Sequence, residues 1–436
     1  MPIEPEPIIT ICCSDVAGQL RGKGFPLRDL ASRRQEGVGW THTQVMINCL
    51  GRIPVTPFGP RGDLLLVPAG PGVELDFGDG PVERWVIGEI RTLDGGPWDC
   101  CLRSVLRRAL AELEAEGLRL VAAFEHEMYH EGAPERTGDS YAISRVRGVL
   151  PYVEELVGAL RANGLEPETV LPEYGPRQIE FTVAPAPGLE AADRAINGRE
   201  IARAVAHRHG SRVSFAPVVT RGVVGNGVHV HFSLADLDGH PVTYDPGGPG
   251  GLSPRAASFA AGILRHGRAL CAVTAPSVLS YERLAPGSWS SYWTNLGWHD
   301  REAMLRICPV PGVAGVDPAV RCNLEFRAAD AAASPHLLLA MLAFAGAQGV
   351  REGLAPPAIT DGDPADLGDE GRRRLGIQAL PRSLDEALHA LEQDAVATGW
   401  LGPVLTVAYL LHKRGELGML EGRTPDELVA LYAGAY

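Results

Sequence analysis

Lysine is almost absent from this chain of 436 residues, whose lysines and arginines together number 40. Only Lys23 and Lys413 are lysines, and every other basic residue is an arginine. The chain contains no GxxxxGK(S/T) motif, which excludes a P-loop, and neither lysine has the context of a cofactor Schiff base. Any anionic substrate must therefore be held by arginine, by backbone N–H groups or by a metal ion.

Cysteine is sparse as well, with eight residues in the whole chain. Two pairs are adjacent in sequence (Cys12-Cys13 and Cys100-Cys101), and no CxxC spacing occurs. Sequence neighbours rarely form a disulfide and structural zinc needs spaced pairs, so the pattern predicts reduced thiols in a cytoplasmic protein. The most apolar stretch, 337–346, is about half as long as a membrane span. We therefore do not expect a membrane protein.

Basic charge is in short supply overall, because 53 acidic residues leave a formal net charge of −13. Nucleic-acid binding needs clustered lysine and arginine, so the composition argues against a nucleic-acid partner. Hydrophobic residues make up 45% and charged residues 21% of the chain, which is an ordinary globular balance. The length predicts one large domain and one smaller domain.

The pattern of the sequence changes near residue 97 and predicts a domain boundary there. Residues 1–97 alternate short β-like runs with turns, and residues 98–436 alternate strands with amphipathic helices. The predicted strands of the first part include Ile8–Ile11, Thr43–Ile47 and Leu64–Val67. The predicted helices of the second part include 101–116, 151–163, 188–209, 256–273, 336–349 and 384–398.

Four predicted strands of the second part carry polar residues at alternate positions. Successive side chains of a strand point to opposite faces, so residues at i and i+2 share a face. Glu173 is brought back towards one of these strands by the Gly175-Pro176 turn. Taken singly, each pattern also fits a solvated strand face. The sets that share a face are Glu125 with Glu127, Gln178 with Glu180, His229 with His231 and Ser233, and Glu325 with Arg327.

Taken together, the four polar faces predict a metal site. Burying so much charge on a sheet is costly unless the charges are paired or bind metal. Five glutamates and one histidine form an oxygen-rich ligand set that suits Mg²⁺ or Mn²⁺ and is large enough for two ions. Carboxylates, divalent ions and nearby arginines are typical of a site for phosphoryl transfer.

The order of the motifs resembles the glutamine synthetase superfamily, type I branch, over about residues 8–436. The motifs are SDVAGQLRGKGFP, FEHEMYH, LPEYGPRQIEF, GNGVHVHFSL, RLAPG, HDREAMLR and NLEFR, followed by LPRSLDEALHALE. The resemblance implies an α+β fold with a small N-terminal β-grasp domain, 1–97, and a larger catalytic domain, 98–436. In that fold a curved antiparallel sheet, flanked by helices, forms a funnel that ATP and glutamate enter from opposite ends.

The resemblance also implies a role for each motif residue. It implies a first Mg²⁺ or Mn²⁺ ion on Glu127, Glu173 and Glu180, a second on Glu125, His229 and Glu325, and two to three ions in all. It implies that Gly225, Arg283 and Arg327 bind glutamate. It assigns Arg301 to the transferring phosphoryl group, Arg306 to the phosphates, and His231 and Ser233 to the nucleotide. ATP is the implied co-substrate, and the implied assembly is a homo-oligomer, a dodecamer of two hexameric rings.

The main departure from ammonia-using members lies on the flap after RLAPG. Those enzymes carry a glutamate six residues after the RLAPG arginine, where this chain has Trp289, and the neighbouring Ser288 and Ser290 are not acidic. The Asp-Gly-Ser-Ser pattern that supplies a second acid is not found around residues 37–41. Tryptophan cannot accept a proton but offers an apolar face to a carbon-bearing amine. The alternative is that Trp289 only packs the flap and that the acid comes from elsewhere.

These departures favour one function among three. We expect an ATP-dependent ligase that joins an organic amine to the γ-carboxylate of glutamate through a γ-glutamyl phosphate. Such an enzyme is similar to the γ-glutamyl-polyamine, -ethanolamide and -anilide synthetases. The alternatives are glutamine synthetase itself, which uses ammonia, and a catalytically silent relative that acts as a scaffold or regulator. The complete ligand set weighs against the silent alternative.

Overall fold

The computed structural model describes residues 4–136, 138–287 and 289–436. Its strands are β1 Ile8–Ser14, β2 Leu20–Pro26, β3 Val38–Thr41, β4 Asp63–Leu75, β5 Glu83–Arg91, β6 Arg119–His130, β7 Pro167–Pro172, β8 Gln178–Val183, β9 Ala186–Pro187, β10 Val213–Ser214, β11 Val228–Ala235, β12 Trp293–Trp298, β13 Ala303–Ile307, β14 Leu324–Phe326 and β15 Ile359–Thr360. Its helices are α1 Leu30–Glu36, α2 Leu102–Ala115, α3 Ile143–Ala162, α4 Gly188–Arg208, α5 Pro254–Arg265, α6 Gly267–Thr274, α7 Ser280–Arg283, α8 Pro318–Arg321, α9 Pro335–Arg351, α10 Gly368–Leu375, α11 Leu384–Gln393, α12 Ala395–Leu420 and α13 Pro425–Ala435.

The N-terminal sheet has five strands in the order β2-β1-β5-β4-β3. The pair β1–β5 is parallel, and the other neighbours are antiparallel. The predicted strand at Thr43–Ile47 is wrong, because His42–Met46 form a 3-10 helix instead. The N–H of Thr41 donates a hydrogen bond of 3.0 Å to Oε1 of Gln44 across its first turn. This local side-chain contact competes with strand pairing.

The second sheet has ten strands, with the main order β15-β12-β13-β14-β11-β6-β8-β7. All pairings from β13 to β7 are antiparallel, whereas β12 runs parallel to both β13 and β15. The sheet is therefore mixed, and the expectation of an antiparallel sheet is corrected at this edge. The connection 299–302, with His299 at a φ of 56°, returns the chain to the start of β12. The strands β14, β11, β6 and β8, which carry predicted site residues, are each antiparallel to their neighbours.

The helices pack against the second sheet and against each other. Helix α4 contacts β6, and the almost wholly buried α9 contacts α2 and α5. The predicted helix at 256–273 is two helices, divided at His266, whose Nδ1 lies 2.6 Å from Oδ2 of Asp394. Helix α3 starts at Ile143 and keeps Pro151 in its interior, although proline favours a first turn. The predicted domain boundary at residue 97 falls between β5 and α2 and stays a prediction.

Helix α12 is the one helix of the described residues that is long and apolar enough to cross a membrane, by length and composition only. It is interrupted at Gly402, which has a φ of 77° and is followed by Pro403. In the folded chain it packs against α9 and α11. It buries Lys413 completely, with Nζ 3.7 Å from Oε2 of Glu416.

Candidate active site

The four polar strand faces meet on one side of the second sheet. Strands β14, β11, β6 and β8 are consecutive neighbours, so their co-facial residues form a continuous patch. Three cross-strand pairs define its centre: His229 opposite Glu125, His231 opposite Glu325, and Glu127 opposite Glu180. The antiparallel register therefore brings together residues that are as far apart in the sequence as 125 and 325.

Two groups of donor atoms in this patch could each hold a cation. Glu125, His229 and Glu325 form one group, and Glu125, Glu127 and Glu180 form the other. Within each group the donor atoms lie within 4.8 Å of one another, and Glu125 belongs to both. The first group is the ligand set expected for the second ion. Carboxylate oxygens and an imidazole nitrogen suit Mg²⁺ or Mn²⁺.

Glu173 lies apart from the other two carboxylates of the set expected for the first ion. Its Oε2 accepts a hydrogen bond of 2.7 Å from Oη of Tyr141 and one of 2.9 Å from the N–H of Tyr174. Glu127 is held instead by the N–H of Gly227 at 2.8 Å and by Nε2 of Gln178 at 3.0 Å. The structure thus brings together only two members of that set, Glu127 and Glu180.

Two carboxylates on the β6–β8 side of the patch have raised pKa values. Burial, together with the charges of Glu125 and Glu127, raises the pKa of Glu180 to about 10. Burial also raises the pKa of Glu127, although His229 and the Gly227 N–H oppose the shift. Buried carboxylates of this kind take up a proton unless a cation neutralises them. The donor set therefore fits a divalent cation.

Cationic side chains keep the other side of the patch ionised. Burial alone would raise the pKa of Glu325, but Arg327 and His229 lower it to about 2. Nη1 of Arg327 contacts Oε1 of Glu325, and Nη1 of Arg306 donates to Oε2 of Glu325 at 2.8 Å. Hydrogen bonds from His229 and His231 likewise outweigh the burial of Glu125 and hold its pKa well below the ordinary value. In this structure the guanidinium groups of Arg306 and Arg327 are thus paired with the Glu325 carboxylate.

At one end of the patch a cavity of about 430 Å³ is lined by two of the residues expected to bind glutamate, Gly225 and Arg283. Glycine is required at position 225, because a Cβ there would lie 2.1 Å from the Pro217 carbonyl oxygen. Arg283 is buried, which lowers its pKa, and its Nη2 donates a hydrogen bond of 2.6 Å to the Ala329 carbonyl. Arg327, the third expected residue, does not line this cavity and donates Nε to the Arg301 carbonyl at 2.6 Å.

At the other end a second cavity, of about 280 Å³, is lined by His231 and Ser233, expected to bind the nucleotide, but not by Arg306, expected to bind its phosphates. His231, Ser233 and Glu125 line it, together with Arg321 and Asn323. Nδ1 of His231 lies 2.9 Å from Oδ1 of Asn323, which fixes the imidazole in the cavity wall. The two cavities share no lining residue, and the carboxylate patch lies between them.

The last two predicted residues, Trp289 and Arg301, lie on loops, and Trp289 contacts Tyr174, which lines the first cavity. Trp289 is 60% exposed, and its indole stacks on the ring of Tyr174, with centroids 6.4 Å apart and an angle of 21° between the planes. Arg301 is exposed, and it has no salt-bridge partner among the residues described. Its backbone carbonyl supports Arg327.

Sequence reasoning missed several residues around this loop cluster. Tyr174 follows Glu173 in its motif, and the possibility of an aromatic stack was readable there, but Tyr141 gave no signal. Backbone strain marks the same region. The described residues other than glycine with positive φ are Tyr141, Arg177, Trp289 and His299. All four lie in loops that carry or adjoin predicted site residues, as strained backbone often does.

Three kinds of comparison agree on the relatives of this chain. Residues 99–430 match the family model for the catalytic domain of glutamine synthetase, and residues 2–98 match that for the glutamine synthetase N-terminal domain. A gamma-glutamylpolyamine synthetase, GlnA3 of Streptomyces coelicolor, is 35% identical over 98% of this chain and 93% of its own. The glutamine synthetase of Pyrococcus woesei is 34% identical over 71% of this chain and 70% of its own. A solved structure described as a novel glutamine synthase homolog has a TM-score of 0.92 and 39% identity, and the match covers all of both chains.

Proposed function

Because the chain belongs to the glutamine synthetase family and is an ATP-dependent ligase, we propose that it joins an organic amine to the γ-carboxylate of glutamate. The observation that carries this proposal is the flap, where position 289 contributes an exposed indole instead of a carboxylate. Full-length similarity to a gamma-glutamylpolyamine synthetase supports the same assignment.

The stacked rings of Trp289 and Tyr174 offer apolar surface to the carbon groups of an organic acceptor, whereas ammonium has no carbon group to bury there. Tyr174 is 56% exposed and lines the cavity beside Gly225 and Arg283, so the stack stands at the mouth of that cavity. An alkylammonium group over an aromatic face gains about 0.5–2 kcal/mol, up to about 30-fold in binding. A neutral arylamine gains offset stacking with the same rings.

For the acyl donor and the nucleotide we assign the two cavities to different substrates. Glutamate binds in the cavity of Gly225 and Arg283, with its side chain towards the carboxylate patch. Arg327 supports this site beside Glu325. ATP binds in the cavity of His231 and Ser233, with its phosphates towards Arg306. Arg301 stabilises the γ-phosphoryl group as it moves to the glutamate carboxylate.

For the metal we assign two to three Mg²⁺ or Mn²⁺ ions to the carboxylate patch. Bound there, a divalent ion neutralises the phosphate charge that the surrounding carboxylates would otherwise repel. The protein holds this site with Glu125, His229 and Glu325 towards the nucleotide, and with Glu127 and Glu180 towards glutamate. Glu173 completes the set of Glu127 and Glu180 by turning away from Tyr141.

Three further proposals, on localisation, assembly and domain division, rest on family membership and not on contacts within the structure. We propose that the enzyme is a cytoplasmic homo-oligomer built as two hexameric rings. We propose that residues 1–97 form a separate N-terminal domain. Sedimentation and electron microscopy of the purified protein test the assembly directly.

A second candidate function is glutamine synthetase itself, with ammonia as the acceptor. Relatives such as that of Pyrococcus woesei favour it. The deciding experiment measures phosphate release at fixed glutamate and ATP with ammonia, methylamine, ethanolamine, putrescine and aniline. At least one organic amine is expected to exceed ammonia in kcat/KM at neutral pH. Ammonia as the best acceptor would refute the organic-amine assignment, and no glutamate-dependent turnover with any acceptor would favour a silent scaffold.

A further inference from the structure

The flap residue Trp289 is tied to a carboxylate from another loop. Its backbone N–H donates a hydrogen bond of 3.2 Å to Oε1 of Glu302. Glu302 directly follows Arg301 in the turn before β13, and its own N–H donates to Oδ1 of Asp300 at 2.8 Å. The turn 300–302, held by the contact between Asp300 and Glu302, therefore places the Glu302 carboxylate at the backbone of Trp289.

The opposite side of the same residue is held by a cation. Nη2 of Arg327 lies 3.4 Å from the Trp289 carbonyl oxygen. Trp289, whose N–H and carbonyl make these two contacts, has a φ of 55°, a backbone conformation that residues with bulky side chains rarely adopt without support. The contacts with Glu302 and Arg327 supply that support and hold the indole against Tyr174.

We propose that Glu302 is the acid of the acceptor site and replaces, from a neighbouring loop, the carboxylate that Trp289 does not provide. This inference rests on the proposed function, in which an amine binds beside Trp289. Glu302 is partly exposed and has no salt-bridge partner among the described residues. One of its oxygens is engaged by the flap, and the carboxylate keeps acceptor capacity for an ammonium group.

The chemistry of this step balances with one proton on Glu302. The acceptor arrives as an ammonium ion and transfers a proton to the Glu302 carboxylate, which leaves a neutral amine. The amine nitrogen then forms a bond to the γ-carbonyl carbon of γ-glutamyl phosphate, and the bond from that carbon to the phosphate oxygen breaks. The second amine proton leaves on the phosphate, and Glu302 returns its proton to solvent.

Substitution by glutamine separates this role from a purely structural one. In Glu302→Gln the amide oxygen still accepts the Trp289 N–H, so the flap contact is kept while the charge and the base are lost. Methylamine and ammonia are protonated at neutral pH and need that base, whereas hydroxylamine is mostly unprotonated and does not. Comparison of the three acceptors therefore isolates proton removal.

At pH 7 the Glu302→Gln variant is expected to lose about 100-fold in kcat/KM for methylamine and ammonia, within the range of general-base catalysis. Turnover with hydroxylamine is expected to fall by no more than about threefold, and KM for ATP and for glutamate is expected to stay unchanged. For the protonated acceptors kcat/KM should rise steadily with pH towards the pKa of the free amine. Equal losses with all three acceptors, or no loss with any, would overturn the inference.

A matched control comes from Glu427, which also accepts a backbone N–H, that of Thr424, at 2.7 Å. It lies at the start of α13, so Glu427→Gln should leave all three activities unchanged. The test is independent of the acceptor assignment because ammonia is one of its substrates. If ammonia is the best acceptor but Glu302→Gln shows the selective loss, only the organic-amine assignment fails.

Discussion

Oη of Tyr141 donates a hydrogen bond of 2.7 Å to Oε2 of Glu173. This contact joins the loop before α3 to the motif that follows β7, and it explains why Glu173 stands apart from Glu127 and Glu180. Burial and the neighbouring Glu173 raise the pKa of Tyr141, so the phenol stays a donor at neutral pH. The Glu173 carboxylate can therefore bind a cation beside Glu127 and Glu180 only after it gives up its hydrogen bond from Tyr141.

Binding of a divalent metal is expected to release about one proton from the apo-protein near pH 7.5. The pKa of Glu180 is raised to about 10 by burial and by its carboxylate neighbours, so this group is protonated until a cation arrives. Titration calorimetry with Mg²⁺ or Mn²⁺ in two buffers of different ionisation enthalpy measures the proton count. Glu180→Gln should abolish the release, and Glu190→Gln, an exposed acid on α4, should not.

The same group predicts the sign of a stability change. A carboxyl whose pKa is raised on folding binds more protons in the folded than in the unfolded state between about pH 4.5 and 10. The metal-free protein should therefore lose stability as the pH rises through that range, and added Mn²⁺ should restore more of it at pH 8.5 than at pH 6. Thermal unfolding with and without the metal checks this, and a metal effect independent of pH would contradict it.

Replacing Arg327 by lysine is expected to raise KM for glutamate by about 10-fold or more while KM for ATP changes by less than about twofold. The guanidinium contacts Glu325, the Arg301 carbonyl and the Trp289 carbonyl at once, and an ammonium group cannot reproduce that geometry. Initial rates with each substrate varied in turn provide the measurement. Arg351→Lys, at an exposed ion pair with Glu112, is the control. Equal effects on both substrates would remove Arg327 from the donor site.

Trp289→Glu is expected to shift the preference from organic amines towards ammonia by about 10- to 30-fold. The substitution removes the aromatic face and adds a carboxylate where ammonia-using relatives carry one. Trp289→Ala is the matched comparison, because it should weaken organic amines without improving ammonia. The ratio of kcat/KM for ammonia to that for the best organic amine gives the result. An unchanged ratio in Trp289→Glu would mean that the indole does not select the acceptor.

His412 should make the protein less stable as the pH falls below neutrality. Burial and the adjacent Lys413 lower its pKa to about 3. Below pH 6.5 His412 binds a proton in the unfolded chain but stays neutral in the folded chain. The free energy of unfolding therefore has its full contribution from this group above pH 6.5 and decreases as the pH falls towards 3. At pH 5 the loss amounts to about 2 kcal/mol from this group. Urea unfolding at pH 7 and pH 5 should show a smaller pH dependence in His412→Gln, and an unchanged dependence would contradict the assignment.

The polar faces of the strands were predictable because they depend only on local geometry. Alternation along a strand places His229 and His231 together whatever the rest of the chain does, and both point into the same patch of the structure. The pairing of Glu127 with Glu180 was not predictable from periodicity, since register between distant strands depends on the whole sheet. The family resemblance, which the family models confirm, supplied that relationship.

The loops were the part that the sequence did not disclose. Tyr141 and Glu302 belong to no periodic pattern, and each acquires its position from a turn whose conformation is set by tertiary contacts. The sequence showed that the flap lacks its usual acid at position 289. It could not show that Glu302 contacts Trp289, because 13 positions separate the two residues along the chain. The functional roles of the site residues remain predictions for the experiments above.

The scarcity of lysine has a practical consequence for work with this protein. Lys413 is fully buried, whereas Lys23 stands exposed on β2 near the ring of Trp40. Of the two lysines, only Lys23 is therefore accessible in the folded chain to reagents that acylate primary amines. A fluorophore coupled to Lys23 by such chemistry attaches to β2 at the edge of the N-terminal sheet, so every labelled chain carries it at the same place.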